Sequence, residues 1–387
     1  MRLGARALAA LLLVASAAYA ADKRKLDKVT EDERAAYLRR GRVWEPTDVA
    51  SKDLFNGPKG KLRYAVDQNV VCDFVPKPLP GWTEKFLCRL RGGRVVKVKY
   101  VEGDRFKEVY GEVLGTRLFW ALGFYADKVL PVRVTCRGCP RQPWKYVNAR
   151  KHRTDLDSLP AEAEVGTRTF DPASIEESLD VTPIEAREHQ GWGWTSLSQV
   201  DAAAGGATRA ELDAFRLLNA FVQNADNGHE QNALACFRSD LVKDHSGQVT
   251  CRRPILYVDD LGAVFGRGGR TTRYEGRTDF NGWKERRVWR DTATCRARLD
   301  SIYSPFETSN LKDPVIGEEG RALLAKQLAQ LTDKQIADLF RASRVARLDQ
   351  ATTDASGAPH AVTIEDWVEL FKAKRAEITG HPGCPSP

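Results

Sequence analysis

Four ionisable side chains, Lys97, Glu112, Asp226 and Asp260, follow one another in an order that could handle a phosphate chain. Phosphoryl transfer asks for a strand lysine on the phosphates and a helix carboxylate to hold that lysine. It also asks for a loop carboxylate beside the acceptor hydroxyl and a further carboxylate on a divalent metal. Lys97 ends the run Val95-Val96-Lys97, and Glu112 comes 15 residues later in a segment of helical spacing. Asp226 lies in Asn224-Ala225-Asp226-Asn227-Gly228, where Asn-Gly is a strong turn pair. Asp260 closes an apolar stretch and has Asp259 beside it; two adjacent carboxylates repel, and a bound Mg²⁺ or Mn²⁺ would relieve that cost. If the phosphates belong to a nucleotide, Lys97 is preferred to Lys99, because Val95, two residues earlier, would then line the nucleotide base; were Lys99 the ligand, that wall would be Lys97, a poor surface for a purine.

Each position also has a plainer reading. Lys97 and Lys99 alternate as residues on a solvated strand face do. Glu112 could make a weak surface pair with a nearby base. The turn at Asp226 could be only a turn, and Asp259 alternates to the face opposite Asp260.

The elements that must carry these residues are legible in outline. Thr30 and Glu33 form a capping box that opens a short charged helix. Strand-like runs fall at 62–66 and 70–74, and a hairpin pattern joins 85–90 to 95–101 through Arg91-Gly92-Gly93-Arg94. Over 108–122, Val109, Val113, Leu114, Leu118 and Leu122 recur at helical spacing, with Gly123 as the stop. A strand at 129–134 follows, and 137–188 is polar, Pro-containing and weakly periodic. Then come a helix at 212–222, strands at 233–237 and 254–258, and helices at 323–331, from Thr332 with box partner Gln335, and at 364–378.

Composition limits the alternatives. Of the 387 residues, 42% are hydrophobic and 29% charged, so the chain can bury a core, and the net charge of +8 is not gathered into a tail. Nucleophile-elbow, His-Glu-x-x-His and Walker patterns are missing, and the six histidines never fall at metal-ligand spacing. Residues 1–20 read as an export signal: Arg2 and Arg6, an apolar run from Ala7, then Ala18-Tyr19-Ala20. That run is short for a membrane span. Periplasmic or secreted localisation is expected, with no membrane span after cleavage. Exported thiols oxidise, so the eight cysteines are read as structural bridges rather than metal ligands. Cys236 and Cys251 would close the base of a hairpin, and Cys136-Arg-Gly-Cys139 has no second Cys-x-x-Cys to complete a zinc site. Pairings of Cys72, Cys88, Cys295 and Cys384 stay open.

Taken together, the motifs resemble the atypical branch of the protein-kinase-like fold, which includes phosphoinositide kinases, bacterial persistence-toxin kinases and the Golgi secretory casein kinases. The matches are Glu112 eleven residues before Gly123, the Asn224-Ala225-Asp226 loop, and Asp260, Gly262 and Phe265 of an Asp-x-Gly-x-x-Phe stretch. The resemblance covers about 82–348. It implies an α+β, bilobal kinase-like fold with a small β-rich N-lobe carrying one helix and a larger helical C-lobe. The implied organisation is a signal peptide (1–20), an N-terminal extension (21–60), an N-lobe (61–136), a lobe-connecting insertion (137–190) and a C-lobe (191–387). The implied activity is ATP-dependent phosphoryl transfer to an unknown hydroxyl acceptor. Lys97 would hold the α/β-phosphates, Glu112 would orient Lys97, and Asp226 would accept the hydroxyl proton. Asp260 would bind the metal with Gln231 or Asn232.

The chain departs from the pattern at Gln231, where many relatives place a metal ligand, at Asn227-Gly228, which lacks the usual base, and at a lid reduced to Gly81-Trp82-Thr83. The rival reading is an exported pseudokinase, a disulfide-bridged binding or scaffold module, in keeping with the scarcity of ATP outside the cytoplasm. A basic, aromatic segment after Asp260 runs from Arg267 through Arg270, Arg273, Tyr274, Arg277, Phe280, Trp283, Arg286 and Trp289 to Arg290. Export argues against nucleic acid, so the expected partner there is an acidic acceptor steered by the arginines.

Overall fold

Alternating apolar residues on the first strands face inward and close a barrel. In the computed structural model, residues 26 and 28–385 are described, apart from 82, 104–106, 153–164, 188–189, 269–277, 304–308 and 355. The expected export segment, the lid residue Trp82, and Arg270, Arg273, Tyr274 and Arg277 lie outside them.

A short helix α1 (Glu31–Arg39), opened by the Thr30–Glu33 capping box, precedes β1 (Asn69–Val75), β2 (Lys85–Leu90) and β3 (Val95–Tyr100). Helix α2 (Glu108–Ala121), β4 (Lys128–Cys139), α3 (Pro143–His152) and β5 (Gly166–Glu177) follow. The barrel order is β1-β2-β3-β5-β4, closed by parallel pairing of β1 with β4. Its interior holds Val70, Phe86, Val96, Val98, Val132, Val134 and Ile175, all buried. Residues 62–66, expected to be extended, form no strand. The larger difference is at 137–188. That segment was expected to connect two halves, yet it supplies β5, which pairs with both β3 and β4. Its polar residues alternate outward along 166–171 while Ala173 and Ile175 turn inward, so the apolar signal is too short to register as a strand.

The remainder is mostly helical. Strand β6 (Val181–Pro183) leads to α4 (Arg209–Phe221), β7 (Asn232–Phe237), β8 (Leu241–Lys243), β9 (Val249–Cys251) and β10 (Pro254–Val258). A small sheet runs β10-β7-β6. Then come α5 (Phe280–Lys284), β11 (Trp289–Asp291), β12 (Arg296–Ala297), α6 (Glu318–Ala329) and α7 (Asp333–Ser343). The hairpin of β13 (Ala351–Thr353) and β14 (Pro359–Ala361) precedes α8 (Ile364–Thr379). Capping boxes open α4, α7 and α8. The apolar faces of α4, α6, α7 and α8 meet in one core, which also takes Val109, Leu114 and Leu118 of α2. Helix α2 is buried on nearly every side, as a helix wedged between two layers must be. Among the described residues, no helix is long and apolar enough to cross a membrane.

All eight cysteines are bridged, as Cys72–Cys88, Cys136–Cys139, Cys236–Cys251 and Cys295–Cys384. The Cys236–Cys251 bridge is the expected one.

Candidate functional site

Because Val96, Val98 and Tyr100 fill the barrel, Lys97 and Lys99 point to its outer face. Helix α2 lies on that face, and there Lys99 is 2% exposed. Its Nζ donates to Glu112 Oε1 and stands 3.3 Å from Asp260 Oδ2 and 3.7 Å from Glu108 Oε2. Thr83 donates its hydroxyl to the same Glu108 oxygen, tying the β1–β2 connection to α2. Desolvation opposes the Lys99 charge, but Asp260, Glu112 and Glu108 outweigh it and push its pKa well up. Burial raises the Glu112 carboxyl to about 7 against the pull of Lys99, and the neighbouring Asp260 charge adds to the rise. Burial opposes ionisation of Asp260 too, yet Lys99, Lys85 and Lys97 hold its carboxyl far below the ordinary range.

The expected Lys97–Glu112 pair is not formed. Lys97 sits directly across from Glu176 of β5 and pairs with it. The physical reason is the placement of α2, whose first turns cover Lys99 and leave Lys97 on the side of β5. Val95, the expected base wall, is 41% exposed. Lys97 and Glu176 line a cavity of about 630 Å³. Of the sequence-derived set, Glu112 and Asp260 are brought together, and the lysine between them is Lys99.

Asp226 lies on the loop after α4. Asn227, fully buried, fastens that loop: its Nδ2 donates to the carbonyls of Asn224 and Leu311, and its Oδ1 accepts from the Leu311 amide. The Ala225 amide donates to the Ala263 carbonyl at 3.1 Å, joining the Asp226 loop to the one that begins at Asp260. Tyr303 donates its phenol to Asp226 Oδ1 at 2.6 Å and stands 3.1 Å from Glu230 Oε1. Burial and those two carboxylates push the phenol pKa up.

Asn232 opens β7 opposite Val258, one strand over from the Asp259-Asp260 pair. Its Nδ2 donates to the Trp192 carbonyl, and its buried Oδ1 has no partner among the described residues. Gln231 is half-buried and contributes its main-chain carbonyl to the Asp259 amide. Asn232 and Asp259 line a second cavity of about 520 Å³. Asp260 Oδ1 accepts from the Gly262 amide at 2.9 Å, and Oδ2 faces Lys99.

One more cation belongs to this face. Lys85 of β2 is the direct cross-strand partner of Lys99 and is 8% exposed. Burial, then the Lys99 charge, lowers its pKa to about 8. Of the described arginines in the basic segment, Arg267 pairs with Glu285, Arg286 with Asp300, and Arg290 with Asp300 and Asp313. Phe280, Trp283 and Trp289 are buried.

Sequence reasoning preferred Lys97 to Lys99 and gave no role to Glu108, Lys85 or Tyr303; Thr83 entered only as part of the reduced lid. The only signal for Lys99 was its place in the strand alternation, which it shares with Lys97. For Lys85 it was the hairpin register, and for Tyr303 there was none.

No protein-family model matches the chain, and the comparison with curated proteins returns no match. Among solved structures, the chain is similar to the Helicobacter pylori proinflammatory kinase CtkA at 8% identity and a TM-score of 0.38, covering 82% of this chain and 94% of that one. So loose a likeness carries no argument about the chemistry of this chain.

Proposed function

We propose that this chain is an exported, kinase-like phosphotransferase that moves the terminal phosphoryl group of ATP to a hydroxyl acceptor. The observation that carries the reading is Lys99, buried on a strand, bonded to a helix glutamate and facing Asp260. A strand lysine paired with a helix carboxylate beside a metal-binding aspartate is the arrangement that kinase-type phosphoryl transfer uses. In this reading the barrel with α2 and the helical remainder are two lobes, and the lysine that holds the α/β-phosphates is Lys99.

The donor chemistry suits a divalent ion: Lys99, Lys85 and Lys97 keep Asp260 ionised, and the buried Asn232 Oδ1, which has no partner among the described residues, lies on a cavity shared with the adjacent Asp259. Mg²⁺ or Mn²⁺ held by Asp260 and Asn232 would supply positive charge to the phosphate chain. The chain's own groups do the rest. Glu112 orients Lys99, and Lys99 binds phosphate oxygens. Asp226 accepts the acceptor's proton at a carboxylate oxygen as the new O–P bond forms and the β–γ bridge breaks, releasing ADP. Positioning and charge stabilisation supply most of the rate in such a transfer. Export is supported by the four bridges, which form and persist in oxidising compartments.

The binding or scaffold reading has one observation in its favour, the Tyr303 phenol on Asp226, where an acceptor hydroxyl would otherwise come. Thermal unfolding of the oxidised protein with ATP and Mn²⁺ separates the two. Catalysis requires a rise in melting temperature, about 2.7 kcal/mol of stabilisation at a hundredfold excess over Kd, that disappears in Asp260→Ala. A curve that ignores ATP would leave the scaffold reading standing alone.

A further inference from the structure

Resting on that reading, a second phosphate-binding cation emerges from the barrel. Residues directly opposite on antiparallel strands are neighbours, and two like charges there repel. Lys85 and Lys99 are such a pair, and both are buried. Lys99 has three carboxylates around it. Among the described residues Lys85 has no carboxylate within ion-pair distance, and the support found for its ammonium is the Trp144 ring, 5.6 Å away. A buried cation that has no ion pair of its own among the described residues, and only shares the field of Asp260 and Glu108 with a second cation, gains from an anion placed between the two.

The location says which anion. Lys85 opens β2 directly after the connection from β1, on the face that carries Lys99 and Asp260. Pro76, Pro78 and Pro80 of that connection carry no main-chain N–H, so few amides are there to wrap phosphate, and the Thr83 hydroxyl is committed to Glu108. Gly81 makes room for the ammonium: a Cβ there would stand 2.7 Å from Lys85 Nζ. The ammonium also lies close enough to Asp260 to help depress its carboxyl.

We propose that Lys85 is a second phosphate-binding residue, bridging with Lys99 across the polyphosphate of the nucleotide and doing from β2 what a glycine-rich lid does with main-chain amides. The two lysines explain each other once an anion lies between them.

Titration calorimetry on the oxidised protein with Mn²⁺–ATP and with adenosine tests this, using Lys85→Met and Lys85→Arg. The expected result is at least a tenfold weakening of ATP binding by Lys85→Met, with adenosine unchanged and Lys85→Arg within about threefold of wild type. The nucleotide-free melting temperature of Lys85→Met should equal or exceed that of wild type, since a merely structural lysine would lower it when lost. Equal ATP affinity in wild type and Lys85→Met, or equal losses for ATP and adenosine, would overturn the assignment of Lys85 alone. A wild type that binds neither ligand would instead remove the phosphotransferase reading, and this inference with it.

Discussion

Lys97 and Lys99 are one strand repeat apart, on the same face, and meet opposite fates. Lys97 answers a single carboxylate across the strand, whereas Lys99 is enclosed by Glu108, Glu112 and Asp260. If Lys99 carries the phosphate role, Lys99→Met should abolish the ATP-induced rise in melting temperature, and Lys97→Met should keep at least half of it. The reverse ranking would return the role to Lys97. Glu112 adds a pH signature. Its folded pKa, about 7, lies above the ordinary carboxylate value of 4.5. The folded state therefore binds this proton more tightly than the unfolded chain does. The associated stability is present below about pH 4.5 and is lost as pH rises through about 7. Relative to Glu112→Gln, the melting temperature of wild type should fall between about pH 5 and pH 8. Parallel profiles for the two proteins would show that Glu112 does not titrate there.

At the scale of elements, two glycines let α2 reach the loop that starts at Asp260. A methyl group on Gly111 would run into the Gly262 carbonyl, and one on Gly115 would stand 2.8 Å from Leu261 Cβ. Gly262 answers from the other side, where a Cβ would meet Glu108 Cβ at 2.9 Å. This close approach brings Glu108 and Glu112 to the same ammonium as Asp260. In an exposed helix, Gly→Ala stabilises by about 1 kcal/mol. Here Gly111→Ala should destabilise by about 1–3 kcal/mol through overpacking, measured by denaturant unfolding, and should weaken ATP binding as well. A stabilised variant would mean that the loop has room to move aside. The helix itself was readable from Val109, Val113, Leu114, Leu118 and Leu122. Its two interior glycines carried no message in the sequence, because what they accommodate lies about 150 residues further along the chain.

At the scale of the molecule, the four bridges differ in what they restrain. Cys72–Cys88 spans 16 residues, whereas Cys295–Cys384 spans 89 and ties the chain after α8 back to the turn between β11 and β12. Loop-closure entropy gives about 3 kcal/mol for the shorter loop and about 4.7 kcal/mol for one near the longer. The paired Ser variant of Cys295 and Cys384 should therefore lower the denaturation midpoint more than that of Cys72 and Cys88. The opposite order would point to structure retained in the unfolded chain around the longer loop.

Much of the local framework is legible in the sequence. The capping boxes at Thr30 and Thr332, the 85–100 hairpin, the strand of Pro254–Val258 and the Cys236–Cys251 bridge follow from contacts between near neighbours, where residue type and backbone geometry suffice. The order of acidic residues along the chain was equally plain. Which lysine meets Glu112, where β5 inserts, that Lys85 faces Lys99 with no ion pair of its own among the described residues, and how Cys72, Cys88, Cys295 and Cys384 pair were decided by tertiary structure alone. Each depends on where α2 and the Asp260 loop come to rest against the barrel, or on strands separated by long stretches of chain. Spacing along the sequence does not encode those distances; only the packed surfaces do.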